Sequence, residues 1–188
     1  MAGNATRVGA PINAAGGFYS DSLTAELPTD ADSPLPSTAV ALGILGEDGL
    51  SETEDRNTDQ KRGWGGQIAR TLQTEYGLQV TLTFLERSTV VLKEVYGEDN
   101  VVETTEQQRR LRSVARKADQ LPRKRYYAEM KDGDAKIRIV YPDAQIVEVG
   151  DVNYVHSDVV AYEVTLECYL DENGSPSYQY DSEPVSAG

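Results

Sequence analysis

Residues Val160 to Leu170 read "VAYEVTLECYL", and this stretch decides the fold class because large apolar residues alternate in it with polar or small ones. One face of the stretch carries the apolar set, which is Val160, Tyr162, Val164, Leu166, Cys168 and Leu170. A period of two residues is typical of a β-strand with one buried face. The pattern therefore predicts a half-buried strand, with the only cysteine of the chain packed as a small apolar residue.

The same alternation occurs elsewhere in the chain. It is present from Leu78 to Phe84 and from Lys136 to Tyr141, and "KDGD" at Lys131 to Asp134 has the composition of a hairpin turn. A mainly antiparallel sheet system of about seven strands accounts for these runs. The predicted fold class is therefore mainly β, an antiparallel β-sandwich with one short flanking α-helix.

The helix is predicted within "RSTVVLKEVYG", where Ser88 has the character of an N-cap and Gly97 that of a stop signal. A second segment, "TTEQQRRLRSVARKADQ" at residues 104–120, permits two interpretations. Its composition allows a helix, but Leu111, Ser113 and Ala115 also fit an edge strand. The pattern alone leaves both open.

Length and composition favour one domain with flexible ends. The chain has 188 residues, of which 39% are hydrophobic. Residues 1–17 are small and nearly uncharged, whereas residues 175–188 are polar and acidic, so we predict a flexible N-terminal arm and a flexible C-terminal tail. The domain is then expected to span residues 18–174.

Between two predicted strands lies "EDGLSETEDRNTDQKRGWGG", Glu47 to Gly66, with six acids, three bases and four glycines. Unstructured connections of this length are uncommon in compact domains and are usually functional or disordered. We interpret residues 47–66 as a long hairpin loop. Its part from Ser51 to Arg62 cannot bury enough apolar surface to fold alone, so we predict that it is mobile in the free subunit and ordered by a partner.

Charge is distributed unevenly along the chain. The formal net charge of −13 argues against a protein that grips nucleic acid. Eight Lys/Arg residues nevertheless fall between Arg109 and Arg125, and none follows Arg138. This polarity predicts self-association of a basic patch with an acidic one. The candidate subunit-interface residues are Arg109, Arg110, Arg112, Arg123, Lys124 and Arg125. The basic run is also compatible with solvated strand faces, or with single-stranded nucleic acid held by "RKRYY".

Catalytic and cofactor motifs are not evident in the sequence. His156 is the only histidine and Cys168 the only cysteine, so a His/Cys metal site or a histidine-based triad has too few residues. "GWGG" lacks the lysine and Ser/Thr of a phosphate-binding loop. We predict a non-enzymatic protein with no cofactor, no metal site and no membrane anchoring, which is made and kept in the cytoplasm.

Several segments, in order, resemble one known family. They are "ALGILGEDGL", "KRGWGG", "TLTFLERSTVVLKEVYGEDNV" and "MKDGDAKIRIVYPDAQIVEVGDVNYVHSDVVAYEVTLECYLDENG". Over residues 16–174 the chain resembles the major tail protein, or tail tube protein, of long-tailed, siphovirus-type bacteriophages of actinobacteria. The match is weakest in the two ends and from Glu103 to Leu121.

The resemblance implies a structural virion protein of the phage tail. Its subunits would form six-membered rings that stack into a hollow tube, through which DNA passes without specific binding. Further partners would be the tape-measure, terminator and distal tail proteins. The resemblance also favours a strand over a helix between Glu106 and Arg116.

In the family the long hairpin loop reaches the neighbouring ring, which gives the loop of this chain a role. The candidate inter-ring residues are Glu52, Glu54, Asp55, Asp59, Lys61, Arg62 and Trp64. We expect acidic and small residues to line the bore, because Lys or Arg there would trap the phosphates of DNA. The candidate lumen residues are Glu47, Asp48, Ala39, Ala41 and Gly43.

Two further classes of protein remain compatible with the sequence. A tail terminator or a head-tail connector is also a small ring-forming protein, but it would form single rings. A non-viral β-sandwich binding module shares the composition and strand content, because fold does not imply function. Particle size separates these classes.

Overall fold

The computed structural model describes residues 6–13 and 16–185, and all structural statements below refer to them. Eleven strands and one α-helix follow one another in the described chain. The strands are β1 (Ala10–Pro11), β2 (Phe18–Asp21), β3 (Val40–Ala41), β4 (Leu45–Arg62), β5 (Ile68–Phe84), β6 (Val101–Glu106), β7 (Arg109–Val114), β8 (Lys124–Asp132), β9 (Ala135–Val149), β10 (Tyr162–Cys168) and β11 (Tyr178–Ser182). Helix α1 (Thr89–Tyr96) follows β5.

Nine of these strands form one antiparallel sheet that curls back on itself. Its main order is β3-β2-β8-β9-β10-β5-β4, with β1 beside β8 and β11 beside β9. Strands β3 and β4 are at opposite edges, yet only residues 42–44 connect them. The rings of Phe18 and Phe84 are 6.5 Å apart, although a flat sheet would separate their strands by about 19 Å. The two edges therefore meet around a common core, and the predicted mainly β, antiparallel fold with one helix is confirmed.

Strand β10 confirms the alternation read from the sequence. Tyr162, Val164, Leu166 and Cys168 are buried, whereas the residues between them are exposed or half-buried. The strand is shorter than predicted, because Leu170 lies beyond its end and is 54% exposed. The central position of β10, between β9 and β5, explains why its signal is the clearest in the chain.

Helix α1 begins and ends where the capping residues predict. The Ser88 hydroxyl accepts a hydrogen bond from the Val91 amide at 3.2 Å, and Gly97 ends the helix with a φ of 96°. Val91, Leu92 and Val95 face the core. The helix therefore covers one face of the curled sheet, as expected.

The ambiguous segment forms the hairpin of β6 and β7, which is a separate two-stranded sheet. Gln107 and Gln108 make the turn with φ values of 47° and 63°. This left-handed backbone is the one that a tight two-residue hairpin requires. The strand favoured by the family resemblance is confirmed. The "KDGD" turn is confirmed as well, since Asp132 pairs with Ala135 and Gly133 has a φ of 60°.

Both ends contribute strands to the sheet, whereas the division of the chain into one domain and two flexible ends stays a prediction. Ala10 and Pro11 pair with Lys131 and Met130 of β8. Residues Tyr178–Ser182 pair with residues 136–140 of β9. This strand is short and mostly polar, so it has no apolar period that a sequence pattern could detect. The predictions for residues 1–5, 14–15 and 186–188 lie outside the described residues.

We predict that the Cys168 thiol is unreactive in the folded protein. The residue is buried on the core face, and burial raises the pKa of its thiol to about 12. Because only the thiolate reacts, native protein at pH 8 should react with a disulfide reagent roughly a thousandfold more slowly than an unperturbed thiol. Denatured protein is the control, and its single thiol should react rapidly with one equivalent of the reagent. Fast labelling of the native chain would contradict this burial.

Candidate functional site

The most prominent surface feature is a two-stranded arm that projects from the sheet. Strand β5 pairs with β10 only through Leu78–Phe84, whereas its pairing with β4 continues to the hairpin tip. We call residues 55–77 the arm. Its longer strand extends about 30 Å beyond the last pairing with β10. The arm contributes no residue to the hydrophobic core.

Most of the predicted long hairpin loop, residues 47–66, lies within strand β4. Residues Ser51–Arg62 belong to β4 and pair with β5 along their length, with register shifts at Asn57/Thr58 and Lys61/Arg62. The sequence shows no strand period there because both faces of the arm are polar and exposed. Whether the segment is mobile in the free subunit stays a prediction.

Polar contacts organise the base of the arm. Arg56 donates to Glu54 at 2.8 Å, the Tyr76 hydroxyl donates to Glu54 at 2.7 Å, and the Arg56 guanidinium lies 5.1 Å from the centroid of the Tyr76 ring. The hydrogen bond from Arg56 lowers the pKa of Glu54, and the hydrogen bond to Glu54 raises the pKa of Tyr76. Further out, Asn57 donates to Glu75 at 2.9 Å. These contacts favour one twist of an otherwise solvated hairpin.

The tip of the arm presents a bare tryptophan. Residues 63–67 form the turn, closed by a hydrogen bond from the Gly63 amide to the Gln67 carbonyl at 2.9 Å. Arg62 donates to the Gly66 carbonyl at 3.1 Å and so braces the turn. Trp64, the only tryptophan of the chain, is fully exposed between glycines. An indole in this position has no packing role in its own subunit.

The predicted inter-ring residues divide between the base and the tip. Glu52 lies at the base, where it accepts a hydrogen bond from the buried Tyr141 hydroxyl at 2.8 Å, and Glu54 is held as described above. Asp55 is exposed where the arm begins. Asp59 pairs with Lys61 near the tip. Four predicted residues therefore cluster in the outer part of the arm, namely Asp59, Lys61, Arg62 and Trp64.

The predicted basic interface residues fall on two different elements. Arg109, Arg110 and Arg112 lie on β7, where Arg110 and Arg112 are 3.4 and 3.6 Å from the carboxylate of Glu103. Arg112 also donates to the Arg87 carbonyl. Arg109 and Arg110 remain exposed and available to a partner.

Arg123, Lys124 and Arg125, at the start of β8, contribute to the fold instead. Arg123 makes a two-pronged ion pair with Asp143, and Lys124 donates at 2.7 Å to Glu94, a buried carboxylate on α1. The Nε atom of Arg125 is buried. Reversing these three charges would harm the fold, because Glu94 would lose its cation in a buried site. Their role at a subunit interface stays a prediction.

The candidate lumen residues do not share one face of the structure. Ala41 lies on edge strand β3, and Ala39 precedes it. Gly43 faces the Glu86 carboxylate, which lies 2.6 to 2.9 Å from where a Cβ would be. Glu47 and Asp48 are exposed in a bulge of β4 between the Leu45–Phe84 and Leu50–Leu82 pairs. Whether these five residues line a bore stays a prediction.

A different surface has the chemistry expected of a bore. The outward faces of β4, β5, β10 and the end of β9 carry hydroxyl, amide and carboxylate side chains and no Lys or Arg. These residues are Ser51, Thr53, Gln79, Thr81, Thr83, Glu148, Glu163, Thr165 and Glu167. We call this set the polar face. The alternation in each strand shows which residues share a face of that strand. The sequence does not show that these faces form one surface, because that depends on how the four strands pair.

The described residues contain neither a cluster of metal-ligating side chains nor a membrane-spanning helix. Among the described residues, no group of three or more His, Cys, Asp or Glu side chains could hold a metal ion. His156 is exposed in the loop between β9 and β10. No helix in the described part of the chain is long and apolar enough to cross a membrane.

Known proteins provide a separate line of evidence. The family described as phage tail tube protein matches residues 1–187. No curated protein matches the chain. Similar solved structures include the tube-terminating cap of the anti-feeding prophage, with 11% identity, a TM-score of 0.47 and coverage of 97% of this chain and 99% of that chain.

Two further structures come from an extracellular contractile injection system in its extended state. Its sheath-tube complex has 10% identity, a TM-score of 0.44 and 90% coverage of each chain. Its sheath/tube terminator has 11% identity, a TM-score of 0.43 and coverage of 93% of this chain and 99% of that chain. The family match extends over nearly the whole sequence. The chain therefore belongs to the phage tail tube protein family.

Proposed function

We propose that this protein is the structural subunit of a virion tail tube, in which six-membered rings stack into a hollow conduit for DNA. The observation that carries the proposal is the arm, which projects about 30 Å and contributes nothing to its own core. An exposed hairpin of this length with an apolar tip is a liability for a monomer, because unpaired edges and bare aromatic residues invite association. In a stacked tube the arm would be covered.

The subunits would form rings through contacts between basic and acidic surfaces. Arg109 and Arg110 stand exposed on β7. An acidic patch lies beside β11, where Asp30 and Asp32 approach Asp181 and Glu183. Hydrogen bonds from the Ser33 and Asp32 amides lower the pKa of Asp30, so this carboxylate stays charged at neutral pH. A head-to-tail contact between two different patches closes a ring when it is repeated by rotation.

The polar face would line the bore. DNA moving through a tube requires walls that do not hold its phosphates, and each Lys or Arg at the wall would add a counterion-release term to binding. The polar face offers hydroxyls and carboxylates instead. In this arrangement the protein has a non-catalytic role, binds no cofactor and contacts DNA without specificity. Tape-measure, terminator and distal tail proteins would be its partners in the virion.

Negative-stain electron microscopy of the purified protein and of virions tests the proposal. We expect hollow tubes of stacked rings from the protein alone or the same tube within the tail of the virion. Particles that remain single rings in both samples would favour a terminator or connector. Monomers in solution, with the protein absent from the tail, would refute the assignment.

We predict that reversing two charges on β7 weakens ring formation. The Arg109→Glu/Arg110→Glu variant should fold normally, since both side chains are exposed. The protein concentration that it needs to form rings should rise at least about tenfold. Raising the salt concentration should also weaken ring assembly of the parent protein, because salt screens the attraction between exposed charges. The Arg109→Lys/Arg110→Lys variant keeps the charge and is the control. Equal assembly of all three proteins by sedimentation would exclude an electrostatic contact on β7.

A further inference from the structure

A groove of about 580 Å³ lies where β4 begins, at the opposite end of this strand from the arm tip. Its walls include Ile44, Leu50 and Met130, and Ile44 is 45% exposed. The groove exists because β4 bulges: residues 46–49 oppose a single residue of β5, and Gly49 has a φ of 65°. The bulge also places Glu47 and Asp48, both exposed, along the groove. The result is an apolar depression with an acidic rim.

The arm tip has the complementary character. Beside the bare Trp64, Ile68 is 51% exposed. Lys61 and Arg70 are directly opposite each other in the ladder, and like charges in such a pair are destabilising. Asp59 pairs with Lys61, but in the described structure no acidic side chain is paired with Arg70. An anionic surface brought against this side of the tip would relieve the repulsion.

Tip and groove cannot meet within one subunit. Leu50 at the groove and Arg62 at the tip are twelve positions apart along β4, a span of roughly 40 Å. Two complementary sites at opposite ends of one strand favour a head-to-tail contact between copies. Repetition of that contact along the strand direction generates an open stack rather than a closed dimer.

We propose that Trp64 of one subunit inserts into the β4 groove of a subunit in the adjacent ring, with Lys61 and Arg70 beside Glu47 and Asp48. The groove has the volume of an ordinary ligand pocket and accommodates an indole with room for Ile68. A second copy of the chain is the occupant because its arm tip complements the groove in two ways. The apolar Trp64 matches the apolar floor, and the basic Lys61 and Arg70 match the acidic rim. This contact rests on the proposed tube, and it assigns the residues that hold one ring to the next.

The single tryptophan provides a direct test. In free subunits or single rings its fluorescence should be that of a solvated indole, readily quenched by acrylamide. On tube formation we expect a shift to shorter wavelength and a several-fold loss of quenching. The Trp64→Ala variant should still form rings but require a roughly 30-fold higher concentration to form tubes, as for a hot-spot tryptophan. Leu170→Ala, which removes an exposed apolar side chain elsewhere, should stack normally.

Charge reversal identifies the groove as the receiving site. The Glu47→Lys/Asp48→Lys variant and the Lys61→Glu/Arg70→Glu variant should each form rings that do not stack. The chain carrying all four substitutions should recover tube formation, because the contact is then reversed on both sides. Arg62 is left unchanged since it braces the turn.

The outcomes separate this contact from the tube itself. The assignment of the groove is overturned if the parent protein forms tubes while Trp64 stays solvated, or if the chain with all four substitutions does not form tubes. The proposed tube is unaffected by either result. If the parent forms no tubes alone or in virions, the proposed function fails, and this contact fails with it.

Discussion

A subunit whose arm is cut back to its base is expected to fold normally and to lose tube formation completely. Residues 57–75 are replaced by Asn-Gly, which joins the directly opposed Arg56 and Tyr76 through a two-residue hairpin turn. The removed residues contribute nothing to the core, so circular dichroism and thermal melting should change little. Every subunit of a ring would lose its axial contact at once, so the loss of tubes should exceed that of any single substitution.

The cut is placed by the strand register. Deleting Ser51–Asp59 alone, as a loop interpretation suggests, would remove residues that pair with β5 and would also remove Glu52, which accepts from Tyr141. That variant would misfold and would not report on stacking. For the shortened arm, sedimentation separates rings from tubes, with the full-length chain as the control. Tubes of normal length from the shortened subunit would show that the arm does not connect the rings.

The second large effect concerns stability. The Arg138→Met variant is expected to be about 3–5 kcal/mol less stable than the parent, because it leaves Glu129 without its cation in a buried site. Arg138 is 3% exposed and also donates at 2.7 Å to the carbonyls of Asp30 and Ser33. These bonds hold the segment that follows β2 against the sheet. For a chain of this size the melting temperature should fall by about 6–20 °C.

The neighbouring Lys136 offers a matched control. It lies on the same strand and pairs with Asp32 at 2.9 Å, but its side chain is 40% exposed and that of Asp32 is 61% exposed. The Lys136→Met variant should therefore lose no more than about 1 kcal/mol of stability. Thermal and denaturant unfolding of the two variants measure the difference. Equal losses of stability in the two variants would show that the buried ion pair of Arg138 contributes no more than the exposed pair of Lys136.

Local signals in the sequence predicted the local structure well. The alternation in β10 and the caps of α1 each depend on a few adjacent residues, and the structure follows them. The sequence shows no strand pattern in the arm, because a strand that is polar on both faces has no period to detect. The C-terminal strand β11 is five residues long and gave no signal for a related reason.

Long-range features could not be read from the sequence. Closure of the sheet depends on β2 and β5 meeting across the core, which no local pattern encodes. The basic run from Arg109 to Arg125 looked like one patch, but the fold divides it between an exposed hairpin and the ion pairs of Asp143 and Glu94. The groove at Glu47 and Asp48 likewise arises only when the bulge of β4 is set beside β8 and β9.

The proposed tube requires that rings of this protein stack through their arms. Cryo-electron microscopy of the assembled protein, by helical reconstruction, tests it most directly. We predict six subunits in each ring, a bore lined by the polar face, and Trp64 of each arm seated against Glu47 and Asp48 of a subunit in the next ring. A stack in which every arm stays within its own ring, with Trp64 in solvent, would contradict the account.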